Sequence, residues 1–160
     1  MTPDELKIVT EFRATELFHD LETPHLHKLA SVATETPFSE GQIIYRPGEV
    51  GQAIYLVLEG EVTIEMEVPD YGMVTIFNVG PGHLFGWSSI FPPRRKKARA
   101  RVLQPTRAIV INASQLLDLF RSDHRFESAV MGLIAEIVAD RMQATRFELA
   151  KLVASYQEEV

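Results

Sequence analysis

The sequence predicts a mainly β fold with α-helices at both ends, and three observations support this. Between about Phe38 and Ile111, short runs of alternating apolar and polar residues are separated by Gly and Pro. Strands with turn residues about every 8–12 positions are typical of a sandwich, jelly roll or barrel rather than a parallel sheet. Apolar residues recur at helical spacing before this region, and no Gly or Pro follows Gly132. We therefore expect short helices, then a β-domain, then one long helix.

Two helix-start signals precede the β region. At the N-terminus, Thr2 can cap a helix, Pro3 suits its first position and Glu5 completes a capping box. Thr23-Pro24 repeats the pattern of a small hydroxyl residue followed by proline. Two short helices are therefore expected in this part of the chain.

Turn residues divide the β region into separate strands. Alternating apolar residues at 54–58 end at Glu59-Gly60, and a second alternating run follows at 62–66. The composition of residues 69–72, Pro-Asp-Tyr-Gly, predicts a hairpin turn. The apolar run 108–111 supplies one of the last strands. Each run is expected as a strand of its own, with about eight strands in total.

The C-terminal region predicts two consecutive helices. Asn112 can cap the first, with Gln115 three residues later, and Ser122-Asp123 can cap the second. The second helix carries mostly apolar residues at heptad spacing, and these are Met131, Ala135, Val138, Met142, Thr145, Leu149, Leu152 and Tyr156. Such a seam favours a parallel homodimer. Within one domain, we expect residues 1–122 to hold the N-terminal helices, the β-domain and a short helix, and residues 123–160 to form the dimerisation helix.

Composition excludes several classes of function. The chain has 160 residues, 46% of them hydrophobic, which suits one domain with a single core. There are no cysteines, so disulfides, thiol catalysis and cysteine-ligated metals are excluded. No apolar run approaches the roughly 18 residues of a membrane span, no signal peptide is evident, and a cytoplasmic protein is expected. The five histidines form no metal-binding or catalytic pattern, so we expect no enzyme activity and no metal site.

Residues 82–102 form a candidate anion-binding segment. They begin with glycines and serines, pass through Pro92-Pro93, and end in a basic run at 94–101. This run holds six of the sixteen Lys and Arg and no acid, whereas the remainder carries ten bases against 22 acids. Glycines let backbone N–H groups approach an anion, and clustered Arg and Lys supply charges for a phosphate. A nucleic-acid binder would need a broad positive face, so a local anion site is favoured.

Motifs spread through the β region carry a resemblance to a known family. They are Phe38-x-x-Gly41-x-x-Ile44, Pro47-Gly48-Glu49, the run Ile54 to Val62, and Gly80-x-Gly82-x-Leu84-Phe85-Gly86. With this order and spacing, the chain resembles the cyclic nucleotide-binding domain superfamily, which includes catabolite activator proteins and protein kinase A regulatory subunits. The similarity covers roughly residues 17–142. It implies that the β-domain is a double-stranded β-helix, or jelly roll.

The resemblance also implies a ligand site. In the family, the position of Phe85-Gly86 opens a phosphate-binding cassette that ends in a cation. The implied ligand-binding residues are Phe85, Gly86, Trp87, Ser88, Ser89, Arg95, Lys96, Lys97 and Thr145. The cations at 95–97 are alternatives for the phosphate contact, and Thr145 matches a hydroxyl position that contacts the purine in the bacterial activators. The implied ligand is a nucleotide-like or other small anion, with cyclic AMP and cyclic GMP as candidates.

Trp87 departs from the family pattern. Members that bind cyclic AMP typically place a glutamate there, which accepts a hydrogen bond from the ribose 2′-hydroxyl, whereas an indole donates but cannot accept. Trp87 would stack on the ligand or fill the interior of the roll. The first interpretation predicts a regulatory ligand-sensing domain whose long helix relays occupancy. The alternative is a degenerate fold that binds no nucleotide and serves as a dimerisation and protein-interaction module.

Other partners follow from the end of the chain and from the basic run. Transcription factors of the family continue into a helix-turn-helix, whereas this chain stops at Val160. We therefore expect no DNA-binding element and no membrane contact, and any effector protein would be reached in trans. A third hypothesis is that the basic run docks an acidic partner or nucleic acid, in which case binding would be salt-sensitive.

Overall fold

Antiparallel strands and flanking helices make up the computed structural model, which describes the backbone of residues 1–159 and the side chains of residues 1–158. The helices are α1 (Pro3–Ala14), α2 (Thr23–Ala30), α3 (Ala113–Ser122) and α4 (His124–Glu159). The strands are β1 (Ala33–Phe38), β2 (Ile43–Tyr45), β3 (Ala53–Val68), β4 (Gly72–Val79), β5 (Leu84–Phe85) and β6 (Arg99–Asn112). Short 3-10 turns lie at Glu16–Phe18 and Trp87–Ile90. This arrangement confirms the predicted fold class.

The long strands β3 and β6 form the centre of the antiparallel sheet. They pair with each other from Ala53 opposite Asn112 to Glu65 opposite Arg99. β1 and β2 pair with β6, while β4 and β5 pair with β3. The short strand β5 therefore lies beside β3, and the 3-10 turn that follows it starts at the edge of the roll.

Helix starts predicted from local sequence are confirmed by their hydrogen bonds. Three side chains accept from the backbone N–H three residues later, which satisfies a group left unpaired at a helix N-terminus. These pairs are Thr2 with Glu5 at 3.1 Å, Asn112 with Gln115 at 2.9 Å, and Asp123 with Phe126 at 3.0 Å. Pro24 likewise lies in the first turn of α2, as its start signal predicted.

The prediction of about eight short strands was wrong, because the two longest strands continue through the expected breaks. β3 runs through Gly60, which has φ +96°, and its register against β6 shifts three times between residues 57 and 62. Within this irregular stretch, the Glu61 N–H donates to Oγ1 of Thr106 at 3.2 Å. A glycine at positive φ, together with local bulges, bends the strand without ending its pairing.

Gly60→Ala tests this bend. A Cβ there would lie 2.5 Å from the carbonyl oxygen of Pro105 and overlap the side chain of Thr106, at a positive φ that other residues avoid. We expect the variant to lose about 1–3 kcal/mol of unfolding free energy in urea denaturation. The control is Gly80→Ala, because a Cβ at Gly80 meets nothing within 4 Å. Equal losses in the two variants would contradict this account of the bend.

Alternation along β3 separates two hydrophobic clusters. Leu56 packs on the side of the helices, in a cluster that includes Phe126 of α4. The neighbouring Tyr55 points to the opposite face, into the roll, where it stacks on the ring of Phe85 with 4.7 Å between centroids. The inner cluster is rich in aromatic residues, and it lies next to the segment that the sequence singles out.

The long helix α4 is buried at one end and exposed at the other. Phe126, Val130 and Ile134 belong to the core. Large apolar side chains farther along are exposed to solvent, namely Met142, Phe147, Leu149, Leu152, Val153 and Tyr156. Of the described helices, none combines the length and the apolar composition that a membrane span requires. The division of the chain at residues 122 and 123 stays a prediction.

Candidate ligand-binding site

Gly86 makes a tight connection between β5 and the 3-10 turn Trp87–Ile90. Its φ is +83°, and a Cβ there would lie 3.0 Å from the ring of Tyr55 and 3.1 Å from the carbonyl oxygen of Ala53. Both conditions favour glycine. The carbonyl of Gly86 accepts from the N–H of Ser89 at 3.1 Å, which closes the turn.

A cavity of about 380 Å³ opens beside this turn. Its lining consists of Tyr45, Ile64, Phe77, Phe85, Gly86, Trp87, Ser88, Phe91, Pro92, Pro93, Arg95, Lys96, Lys97 and Ala98. Three of these residues are cationic, and none of the lining residues among the described side chains is an acid. The cavity therefore favours an anion over a cation. We call it the cationic cavity.

Lys96 supplies the buried charge of the cationic cavity. The residue is only 4% exposed, and its Nζ donates to the carbonyl of Gly86 at 3.0 Å and to Oγ of Ser88 at 3.1 Å. The ammonium also lies 4.4 Å from the ring centroid of Tyr45, within cation–π distance. Burial lowers the pKa of Lys96 to about 8, because desolvation disfavours the charged form.

The two neighbouring cations lie at the mouth of the cavity. Arg95 is exposed and donates to the carbonyl of Gly48 at 2.8 Å, and Lys97 is also exposed. Sequence reasoning left Arg95, Lys96 and Lys97 as alternatives for the phosphate contact. The structure brings all three to one cavity and buries Lys96. Their roles toward a ligand stay predictions.

Ser89 anchors the 3-10 turn to β3. Its buried hydroxyl donates to the carbonyl of Ala53 at 2.8 Å, and its own carbonyl accepts from Nε of Arg94 at 2.7 Å. Gly51 packs so closely that a Cβ there would come within 2.7 Å of the Ser89 backbone. Ser88, in contrast, lines the cationic cavity. Of the two serines predicted to bind the ligand, Ser88 therefore lines the cavity, whereas Ser89 holds the turn against β3.

Two basic residues that follow the cavity pair with an acid on the neighbouring strand. Arg99 and Arg101 both donate to the carboxylate of Glu65, at 2.9 and 3.0 Å. Hydrogen bonds and charge from these guanidinium groups, Arg101 first, hold the pKa of Glu65 below its usual range. Arg99 lies opposite Glu65 across β3 and β6, so this pairing depends on a register that local sequence does not reveal.

Trp87 lies with the other predicted ligand residues at the cationic cavity, whereas Thr145 is outside its lining. Trp87 is half-buried, lines the cationic cavity, and packs at the edge of the cluster on the helix side rather than in the aromatic interior of the roll. Thr145 is exposed on α4, and its hydroxyl donates to the carbonyl of Arg141 at 2.8 Å. Their contacts with a ligand stay predictions.

Arg141 is a residue that sequence reasoning missed. Its guanidinium lies 3.8 Å from the ring centroid of Phe77, a wall residue of the cationic cavity, and no acid within the described side chains forms an ion pair with it. Burial lowers the pKa of Arg141. The contact joins α4 to the wall of the cavity, and it could be found only from the folded arrangement.

A comparison with protein families covers the part of the chain that carries this site. The model of the family described as cyclic nucleotide-binding domain matches residues 35–123, which is more than half of the chain. The chain belongs to the cyclic nucleotide-binding domain family. This confirms the resemblance predicted from the glycine motifs and makes the β-roll a regulatory domain of that type.

Relatives within the cyclic nucleotide-binding domain family include bacterial regulators. The chain is 25% identical over 137 residues to the CRP-like cAMP-activated global transcriptional regulator of Mycobacterium tuberculosis, covering 86% of this chain and 59% of that protein. It is 28% identical over 141 residues to the cyclic AMP receptor protein of Thermus thermophilus, covering 86% and 62%. The chain thus spans about 60% of the length of these curated relatives.

A solved structure shows the same fold. The crystal structure of a cyclic nucleotide-binding domain from Methylobacillus flagellatus superposes with a TM-score of 0.79, covering 92% of this chain and 83% of that chain. At 20% identity, this likeness shows the fold alone.

Proposed function

We propose that this domain senses a small anionic ligand in the cationic cavity and relays occupancy through α4 to a homodimer. The observation that carries the proposal is Lys96, a lysine 4% exposed in a cavity whose described lining contains no acid. Burying a lysine charge without a carboxylate partner is costly, and an incoming anion would offset that cost. The exposed apolar face of α4 supports the dimer, since a second α4 would cover it.

Cyclic nucleotides are the first ligands to consider, because the names of the relatives refer to cyclic AMP. The cationic cavity suits the cyclic phosphate. Trp87, however, provides no acceptor for a ribose hydroxyl, and the described lining contains no carboxylate that could replace it. We therefore expect cyclic AMP and cyclic GMP to bind weakly to the wild-type domain.

A degenerate module that binds no nucleotide is the second candidate function. It is favoured by the contacts of Lys96, whose Nζ already has the carbonyl of Gly86, Oγ of Ser88 and the ring of Tyr45 as partners. A lysine satisfied in this way would occupy the position of a ligand phosphate. The exposed face of α4 would then serve for dimerisation or for docking of an effector protein.

Isothermal titration calorimetry with cyclic AMP and cyclic GMP distinguishes the two candidates. Trp87→Glu restores an acceptor beside the cavity, and we expect its affinity for cyclic nucleotides to exceed that of the wild type by about tenfold or more. Trp87→Leu is the control, because it removes the ring without adding an acceptor. Tight binding by the wild type would contradict our account of Trp87. Absence of binding in all three proteins would favour the degenerate module.

A further inference from the structure

A second cavity of about 530 Å³ adjoins the cationic cavity and is almost wholly apolar. It lies between the 3-10 turn and the first half of α4. Its lining consists of Trp87, Ser88, Phe91, Met131, Ile134, Ala135, Val138, Ala139 and Met142. None of these described lining residues carries a charge. We call this cavity the apolar groove.

The apolar groove and the cationic cavity share a wall. Trp87, Ser88 and Phe91 line both of them, so the two spaces meet at the 3-10 turn. At one side of this wall lie the cations at 95–97, and at the other side lie apolar side chains of α4. The combined site has a charged end and a hydrophobic end, and its only lining hydroxyls are those of Ser88 and Tyr45 among the described residues.

We infer that the ligand is an amphipathic organic anion, with a carboxylate or phosphate head at Lys96 and an apolar body along Trp87 and Phe91 in the apolar groove. This inference rests on the proposed function and names the chemical class of its ligand. A charged head would satisfy the buried ammonium, and an apolar body would replace water against the side chains of α4. A sugar in the groove would leave its hydroxyls without partners, which is costly.

Trp87 provides a direct fluorescent reporter of ligand binding, because it is the only tryptophan in the chain and it lies where the two cavities meet. Its fluorescence is titrated with hexanoate, octanoate and decanoate, with decyl phosphate, and with decanol, all below micelle-forming concentrations. We expect saturable changes with the anions and about a fourfold gain in affinity for each added methylene. Decanol should bind at least tenfold more weakly than decanoate. Comparison of decanoate with decyl phosphate identifies the preferred head group.

Two matched variants on α4 test the place of the apolar body. Ala139 lines the apolar groove, whereas Ala144 lies five residues farther along and outside that lining, and both are exposed. We expect Ala139→Asp to weaken decanoate binding at least tenfold and Ala144→Asp to leave it within twofold. Both positions lie outside the heptad seam, so neither substitution should remove the dimer. Met131, Ala135, Val138 and Met142 do belong to that seam, so the inference requires a dimer that leaves their sides toward Trp87 and Phe91 open.

The same titrations separate this inference from the proposed function. Equal affinity for decanol and decanoate, no dependence on chain length, or equal effects of the two aspartate variants would each overturn the amphipathic ligand. If pyrophosphate or cyclic AMP binds by calorimetry in a Lys96-dependent manner while the alkyl anions do not, the inference fails and the proposed function stands. If none of these anions binds, the proposed function fails as well. Decanoate binding only by a monomeric variant would show that a second copy fills the groove, and would also overturn the inference.

Discussion

Lys96→Met is expected to make the protein more stable at pH 7 and to weaken its anion binding. The methionine would fill the same buried space without a charge, and we expect the unfolding free energy to rise by about 1–3 kcal/mol. Loss of the buried ammonium should weaken anion binding on the order of 100-fold. Urea denaturation and calorimetry of the same preparations measure the two effects.

The difference in unfolding free energy between Lys96→Met and the wild type should decrease as the pH rises above 8. Burial lowers the pKa of Lys96 in the folded state to about 8, below the ordinary value of 10.5 for the unfolded chain. Below pH 8 both states are protonated, so the full cost of the buried charge is present. Between pH 8 and 10.5, the folded state loses the proton that the unfolded chain keeps, and the wild type gains stability. The advantage of Lys96→Met over the wild type should therefore be smaller at pH 9.5 than at pH 7.

Anion affinity should fall over the pH range in which the stability of the wild type rises, since binding requires the charged lysine. It should be constant below pH 8 and then fall by up to about tenfold for each pH unit. Lys97→Met is the matched control, because Lys97 lies at the exposed mouth of the same cavity. If Lys97→Met reproduced both effects, or if Lys96→Met destabilised the protein at pH 7, Lys96 would not be the buried anion contact.

Substitution of two seam leucines of α4 by glutamate should dissociate the proposed dimer. Leu149 is 60% exposed and Leu152 is 69% exposed in the single chain, and both lie on the heptad seam. Parallel packing of two copies would bury four leucines, each worth about 1.5–3 kcal/mol. We expect the Leu149→Glu/Leu152→Glu double variant to raise the dissociation constant at least 1000-fold in sedimentation velocity.

A variant with the same added charge away from the seam provides the control. Ala150 and Ala154 are exposed on α4 and fall outside the heptad positions. The Ala150→Glu/Ala154→Glu double variant should remain dimeric at concentrations where the seam variant is a monomer. If wild type, seam variant and control all sediment as monomers, α4 does not dimerise in this chain, and the relay through a homodimer must be abandoned.

Features set by neighbouring residues were predictable from the sequence. The caps at Thr2, Asn112 and Asp123 each need only a side chain and an N–H three residues away, and the structure shows all three bonds. The hairpin turn at 69–72 likewise depends on its own composition, and β3 and β4 meet there. The glycine motifs predicted the roll because their spacing matches a known family.

Features set by distant residues were not predictable in the same way. The ion pairs of Glu65 cross two strands and join residues 34 and 36 positions apart. The bend at Gly60 depends on bulges, which composition alone does not separate from a strand end. The burial of Lys96 is an intermediate case. It has the same parity as Ala100 and Val102, which point into the roll, but residues 97 and 98 form a bend before β6 begins at Arg99, so strand alternation alone does not distinguish it from Lys97.

The contacts of Lys96 have a further consequence for a sensor of this kind. The carbonyl of Gly86 and the hydroxyl of Ser88 would compete with an anion for its ammonium, because they already accept from two of its three donor positions. A ligand that drew the ammonium away would leave that carbonyl with the N–H of Ser89 as its remaining donor. The observed affinity would then include the cost of this exchange. Because this exchange changes the hydrogen bonds of the 3-10 turn, the conformation of the turn that carries Trp87 against α4 would depend on ligand concentration.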